Sequence, residues 1–198
     1  SVKSIGNMAF DGCSSLTQIS IPSSVTSIGD GTFKRCPILK QISIPSSVIS
    51  IGNNAFYKCL SLKQITIPSS VTSIGNNAFD RCPILEQISI PSSVVTFGNR
   101  MFGDIKALEI TGDINYIPHH FLSNCSSLEK IIIPSSVTSI GDMSFEYCSN
   151  LKQITIPSSV TSIGNCAFCG CSSLTQISIP SSVVTFGNRM FSDIKALE

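Results

Sequence analysis

Self-similarity at a fixed short period constrains this chain more than anything else in it, because units too small to bury a core alone must be stacked. The segment Ile-Pro-Ser-Ser-Val starts at Ile21, Ile44, Ile67, Ile90, Ile133, Ile156 and Ile179, in steps of 23, 23, 23, 43, 23 and 23 residues. The long step divides into a 20-residue unit from Ile90 and a diverged 23-residue unit from Ile110. One solenoid over 1–198 is expected, with units 1–20 (partial), 21–43, 44–66, 67–89, 90–109 (short), 110–132 (diverged), 133–155, 156–178 and 179–198 (partial). Both ends fall inside a unit, so the sequence reads as a fragment of a longer chain. A shift of 89 residues lays 21–109 onto 110–198, and 90–109 differs from 179–198 only at Gly103 against Ser192. The short unit lacks the Lys-Gln-Ile triplet before the next unit, which predicts a kink or register change after Glu109.

Counting the first Ile of a unit as position zero, apolar residues recur at position 4 (Val25, Val48, Val71), 7 (Ile28, Ile51, Ile74), 12 (Phe33, Phe56, Phe79), 18 (Leu39, Leu62, Leu85) and 21 (Ile42, Ile65, Ile88). These columns are the candidate core, and neighbouring units must supply the contacts that one unit lacks. The alternation in Leu62-Lys-Gln-Ile65-Thr-Ile67 has the strand period, and Pro68, with no N–H to donate, ends that strand. Val71-Thr-Ser-Ile74 reads as a second short strand, and Gly75 punctuates the turn after it. Asn76-Asn-Ala-Phe79-Asp reads as a short helical turn with Asn76 as its N-cap. Asn or Asp fills that column at 7, 30, 53, 76, 99, 142, 165 and 188, and only His119 departs from it. The fold class expected is an α/β repeat solenoid, mainly short β-strands with short helical turns.

Leu62 through Cys82 reads Leu-x-x-Ile-x-Ile-Pro-x-Ser-Val-x-x-Ile-Gly-x-x-Ala-Phe-x-x-Cys. In that pattern, which extends over the whole chain, the sequence resembles the BspA-like leucine-rich repeat family. The resemblance implies a right-handed curved leucine-rich repeat array without catalytic residues. It also implies a place on the surface of bacteria or parasitic protists, with roles in adhesion to host matrix proteins and in immune recognition. The sequence departs from the family pattern in unit 110–132, where Pro118 stands in the Gly column and Phe121-Leu122 replaces Ala-Phe, and in the two shortened units.

Charged residues make up 13% of the chain and the net charge is +1, which argues against nucleic acid as a partner. No apolar run reaches the roughly 18 residues of a membrane span. Nine cysteines raise the question of redox or metal chemistry, but Cys13, Cys36, Cys59, Cys82, Cys125, Cys148 and Cys171 share position 15. A buried column of free thiols is the simpler reading. Cys166 and Cys169 lie on variable positions expected to be exposed, beside the column residue Cys171, with the spacing of a redox pair or half a metal site. No second cluster accompanies them, so they read as incidental. His119 and His120 are adjacent and expected to point apart, and no nucleophile or phosphate-loop motif is present. The chain is therefore read as no enzyme, with no metal and no cofactor.

Two surfaces remain as candidates for binding a partner. Arg35, Lys58 and Arg81 share position 14 of three successive units, with Lys34 beside them, and would stack into a basic ladder softened by Asp80 and Asp104. Such a ladder suits an anionic glycan or acidic partner, or is simply a solvated face. The strand face carries Gln41, Gln64 and Gln87 within a glutamine column, next to a Ser/Thr column, and both are expected to form side-chain hydrogen-bond ladders. The functional expectation is a non-catalytic, protein-binding adhesion or recognition module at the cell surface or outside the cell, binding host or matrix proteins or glycans. The alternatives are a cytoplasmic scaffold for protein partners and a structural spacer. Unpaired strands at the ends would also favour end-to-end self-association.

Overall fold

A computed structural model describes residues 2–194. The described strands are, in chain order, β1 (Ser4–Ile5), β2 (Ser27–Ile28), β3 (Ser50–Ile51), β4 (Gln64–Thr66), β5 (Ser73–Ile74), β6 (Gln87–Ser89), β7 (Thr96–Phe97), β8 (Ala107–Thr111), β9 (Tyr116–Ile117), β10 (Lys130–Ile132), β11 (Ser139–Ile140), β12 (Gln153–Thr155), β13 (Ser162–Ile163), β14 (Gln176–Ser178) and β15 (Thr185–Phe186). Every strand pairs in parallel with the same element of a neighbouring unit, as β4 does with β6 and β5 with β3, so the chain winds as a parallel β-solenoid. Its interior is one continuous core made of the predicted columns, with Val48, Phe56, Leu62 and Cys59 all at 0% exposure. Phe10, Phe33, Phe56, Phe79 and Phe102 stack ring on ring at 5.4–5.7 Å.

The expected helical turns are absent, for no helix occurs among the described residues. At positions 10, 12 and 14 the backbone N–H groups point to the next unit: Gly31 donates to Asn53 O (2.7 Å), Phe33 to Ala55 O (2.8 Å) and Arg35 to Tyr57 O (2.7 Å). Donors committed sideways cannot close the i to i−4 bonds of a helix. Positions 10 and 14 also take positive φ, as at Asn54 (54°) and Lys58 (59°), which interrupts a right-handed helix. Nor does the Asn/Asp column cap its own turn. Asn53 Oδ1 accepts the backbone N–H of Asn76 and Asn76 Oδ1 that of Asn99, at 2.8 and 2.7 Å, so each side chain holds the following unit.

The short unit changes the register as expected, and the structure shows how. Sheet β14-β12-β10-β8-β6-β4 runs unbroken through it. Gln87 pairs with Glu109 and Glu109 with Ile132, whereas Gln153 pairs with Lys130 and Lys130 with Ala107. The five residues of β8 thus serve two registers, and the second half of the array is displaced by two residues, about 7 Å along the strands. Because side chains alternate with period two, an even slip keeps Leu108 and Ile110 both pointing into the core, each 2% exposed. The second sheet does break here, into β1-β2-β3-β5-β7 and β9-β11-β13-β15.

At the break Phe97 meets Tyr116 and Phe121 edge-on at 6.0 and 5.9 Å, and Asp113 accepts both the N–H and the hydroxyl of Ser92. That pair of bonds holds the Asp113 carboxyl below the usual range. Pro118 replaces glycine at the unpaired junction. In the paired units the glycine is required by close approach, since a Cβ on Gly75 would lie 2.5 Å from Asn53 N.

Candidate functional site

The strand face follows from the burial pattern of β4 and β12, in which a buried isoleucine lies between two exposed polar residues. Gln18, Gln41, Gln64, Gln153 and Gln176 are exposed in one column, and Gln87 is half-buried. The expected glutamine ladder does not form. Among the described residues the only side-chain bond in the column joins Gln87 Nε2 to Glu109 Oε2, at 3.1 Å. Neighbouring glutamines share the same exposed setting, where water competes for every amide, and nothing buried forces them to pair. The Ser/Thr column beside them makes no ladder either, except that Thr111 donates to the carbonyl of Ile88.

The ladders run elsewhere. Ser47 and Ser70 of the Pro-Ser-Ser-Val segments donate to the carbonyls of Val25 and Val48 in the preceding unit, both at 2.6 Å. The strand face is therefore left polar and uncommitted. Gln18, Gln41, Gln64, Thr66 and Pro68 help to line an open trough of about 650 Å³ along it.

The turn edge holds the basic residues. Arg35, Lys58 and Arg81 all sit at φ of 58–59°, a region that costs a non-glycine residue roughly 1 kcal/mol. Arg35 and Lys58 turn their N–H groups sideways to the Tyr57 and Asp80 carbonyls of the next unit, whereas the Arg81 N–H serves the Asp80 carboxyl. The structure does not keep the ladder uniform. Arg35 forks onto Asp11, with Nε–Oδ1 at 3.0 Å and the second contact at 2.6 Å. This hydrogen-bonded pair holds the Asp11 carboxyl below its ordinary range and raises the Arg35 guanidinium above its own. Lys34, Lys58 and Arg81 converge instead on the ring of Tyr57, at 5.7, 5.6 and 5.8 Å from its centroid.

The expected softening by Asp80 and Asp104 takes no form of an ion pair among the described residues. Asp80 leans toward the short unit, where a Cβ on residue 103 would collide with its Oδ1. The one difference between the duplicated short units, Gly103 against Ser192, thus makes room for Asp80. Burial raises the Asp80 carboxyl, with the Asp104 charge adding to the effect and the Arg81 amide, then the Arg81 and Arg100 charges, opposing it. Tyr57 and Gly103 are the residues that sequence reasoning passed over. Tyr57 at position 13, with Lys34 at the same position one unit earlier and Lys58 beside it, was the available signal.

Apart from half-buried Cys13, the thiol column is buried, as expected, and its buried thiols are hydrogen-bonded. Cys59, Cys82 and Cys171 donate to the carbonyls of Phe33, Phe56 and Phe145 at 3.1–3.2 Å, and Cys125 donates to that of Phe102. Burial pushes the thiols of Cys82 and Cys171 up to about 12. All nine cysteines are free. Cys166 is half-buried and Cys169 buried, against the expected exposure. Burial, then the neighbouring Cys166 side chain, raises the Cys169 thiol. His119 Nδ1 accepts the Asp142 N–H at 2.8 Å, and His120 gives its backbone N–H to the Asp142 carbonyl. Among the described residues no three His, Cys, Asp or Glu side chains group as metal ligands, and no helix is long and apolar enough to cross a membrane.

The repeat chemistry and its geometry agree with the family model for the BspA type leucine rich repeat region, which matches residues 1–109 and 103–198 in six copies. The chain belongs to the BspA-type leucine-rich repeat family. Solved structures similar to this BspA-type array include a leucine-rich repeat protein from Eubacterium ventriosum. The two are 21% identical over 96% of this chain and 80% of that one, with a TM-score of 0.53. The pneumococcal vaccine antigen PcpA is 20% identical over 100% of this chain and 67% of its own, also at 0.53. Both show the shared fold. A leucine rich cell surface protein from Faecalibacterium prausnitzii is 27% identical over 87% of this BspA-type chain and 62% of its own, with a TM-score of 0.47. No curated protein sequence matches the chain.

Proposed function

We propose that this BspA-type array is a non-catalytic binding module at the cell surface, whose strand face takes hold of a host or matrix protein. The observation that carries the reading is the row of exposed glutamines. Gln41 and Gln64 have no side-chain partner among the described residues and line an open trough, so their amides are free to donate to and accept from a partner. Identical groups on successive units favour many weak contacts summed along the array. Gln87, tied to Glu109, contributes to the same face as a preset pair.

Lack of catalysis is supported by the state of the column thiols. Cys125 is buried with its thiol committed to the Phe102 carbonyl, and burial raises its proton affinity, so it offers no accessible thiolate to a histidine such as His120 nearby in sequence. Family membership supports placement at the surface. The test is antibody labelling of intact source cells against permeabilised ones. Labelling of intact cells is expected. Labelling only after permeabilisation would overturn the surface reading in favour of a cytoplasmic scaffold.

A further inference from the structure

The turn edge of units 21–89 gathers more positive charge than its ion pairs neutralise. Asp11 occupies Arg35, but Lys34, Lys58 and Arg81 enter no salt bridge among the described residues. All three place their charged heads 5.6–5.8 Å from one ring centroid, that of Tyr57. The π faces of the ring attract each of the three and gather them around one side chain, Lys34 from the preceding unit and Arg81 from the following one. Asp80, the carboxylate nearest in sequence, leans toward Gly103 in the following unit. The wider field has the same sign, since residues 1–100 hold eight of the thirteen Lys and Arg but only four of the twelve Asp and Glu.

We propose that Lys34, Lys58 and Arg81, assembled around Tyr57, bind a sulfate ester of a sulfated polysaccharide. A sulfate ester presents three terminal oxygens to the surrounding cations and stays charged at any ordinary pH. A carboxylate of an acidic protein presents two. The guanidinium of Arg81 supplies a planar fork suited to oxyanion oxygens, and the two ammonium groups act as point charges. Lys34, Lys58 and Arg81 belong to three successive units that repeat at the inter-strand spacing of about 4.8 Å, so a linear polyanion lying along the stack meets them in turn. The excess of positive charge in this half steers such a chain toward the edge. The site lies on the turn edge and does not depend on the strand-face reading.

The experiment measures binding of the whole chain to dextran sulfate, to unsulfated dextran of the same length and to poly-glutamate, at 50 and 150 mM NaCl. Dextran sulfate is expected to bind more weakly at the higher salt, dextran not at all, and poly-glutamate at least tenfold more weakly than dextran sulfate. The double variant Lys58→Ala/Arg81→Ala is expected to weaken dextran sulfate binding at least tenfold, and Tyr57→Leu about threefold. The double variant Lys63→Ala/Lys152→Ala removes equal charge from residues paired with Glu86 and Glu129, and is expected to change binding less than twofold. An unchanged urea midpoint establishes that each variant is folded. Equal losses in the two double variants would reduce the effect to net charge and overturn the site. Binding of poly-glutamate as tight as dextran sulfate would reassign it to an acidic protein. Displacement of the polysaccharide by an equal concentration of inorganic sulfate would reassign it to a free oxyanion.

Discussion

Replacing Gly75 with alanine tests how closely the units are stacked. The new Cβ would lie 2.5 Å from Asn53 N and 2.6 Å from Gly52 C, both backbone atoms of the preceding unit. Ordinary contact begins near 3.4 Å, so the two units must part by about 0.9 Å at that point. Overpacking of this kind costs about 1–3 kcal/mol. The same displacement stretches the Gly75 N–H bond to Ile51 O and the Asn76 N–H bond to Asn53 Oδ1, both 2.8 Å, at up to about 1 kcal/mol each. The expected loss is therefore about 2–4 kcal/mol. Gly6 is the matched control: it occupies the same column, and a Cβ there would meet nothing within 4 Å. Gly6→Ala should be neutral or slightly stabilising, because alanine loses less backbone entropy on folding. Urea unfolding followed by circular dichroism reads both variants against the parent. Gly75→Ala falling within about 0.5 kcal/mol of Gly6→Ala would refute the close stacking.

Two further perturbations read the ladders that join the units. Burial raises the folded-state thiols of Cys82 and Cys171 from 9.0 to about 12, so folding favours their protonated form. Their contribution is intact below pH 9 and is lost as pH rises toward 12, at roughly 1.4 kcal/mol per pH unit for each thiol. The urea midpoint should fall between pH 7.5 and 10.5, and should fall less in Cys82→Ala; equal falls in the two proteins would contradict the assignment. Asn53→Ala removes the acceptor for the Asn76 N–H and should cost about 1 kcal/mol. Asn99→Ala should cost nothing measurable, because the column is interrupted by His119 and, among the described residues, the Asn99 side chain holds no following amide; an equal cost at both positions would show that the column acts within its own unit.

What the sequence made legible was whatever the core dictates. Val48, Phe56, Leu62 and Ile65 had to face inward at those spacings, so the columns, the parallel stacking and the strand over Gln64–Thr66 could all be read. The Lys-Gln-Ile deletion pointed to the register change, but its size of two residues appears only in the pairing of β8. The helical turn was misread because the residues that prevent it carry no warning. Left-handed positions usually advertise themselves as glycine, yet here they hold Asn54, Lys58, Asn77 and Arg81.

Lateral hydrogen bonds were hidden for a similar reason. Asn76 reads as the cap of its own turn, and only the stacked geometry turns it toward Asn99. The candidate binding residues were found as columns, which located them on the surface without revealing their partners. Asp11 withdraws Arg35 from the basic group, and Tyr57 draws Lys34, Lys58 and Arg81 together; both effects cross from one unit to the next.

The central claim is that the uncommitted glutamine face binds a protein partner. Its most direct measurement is binding of the chain to a panel of immobilised extracellular matrix proteins, beside the triple variant Gln41→Ala/Gln64→Ala/Gln87→Ala. The account predicts that at least one matrix protein is bound and that the folded variant loses at least tenfold in affinity. Full retention of binding by the variant, or no binding to any matrix protein by the folded parent, would contradict it.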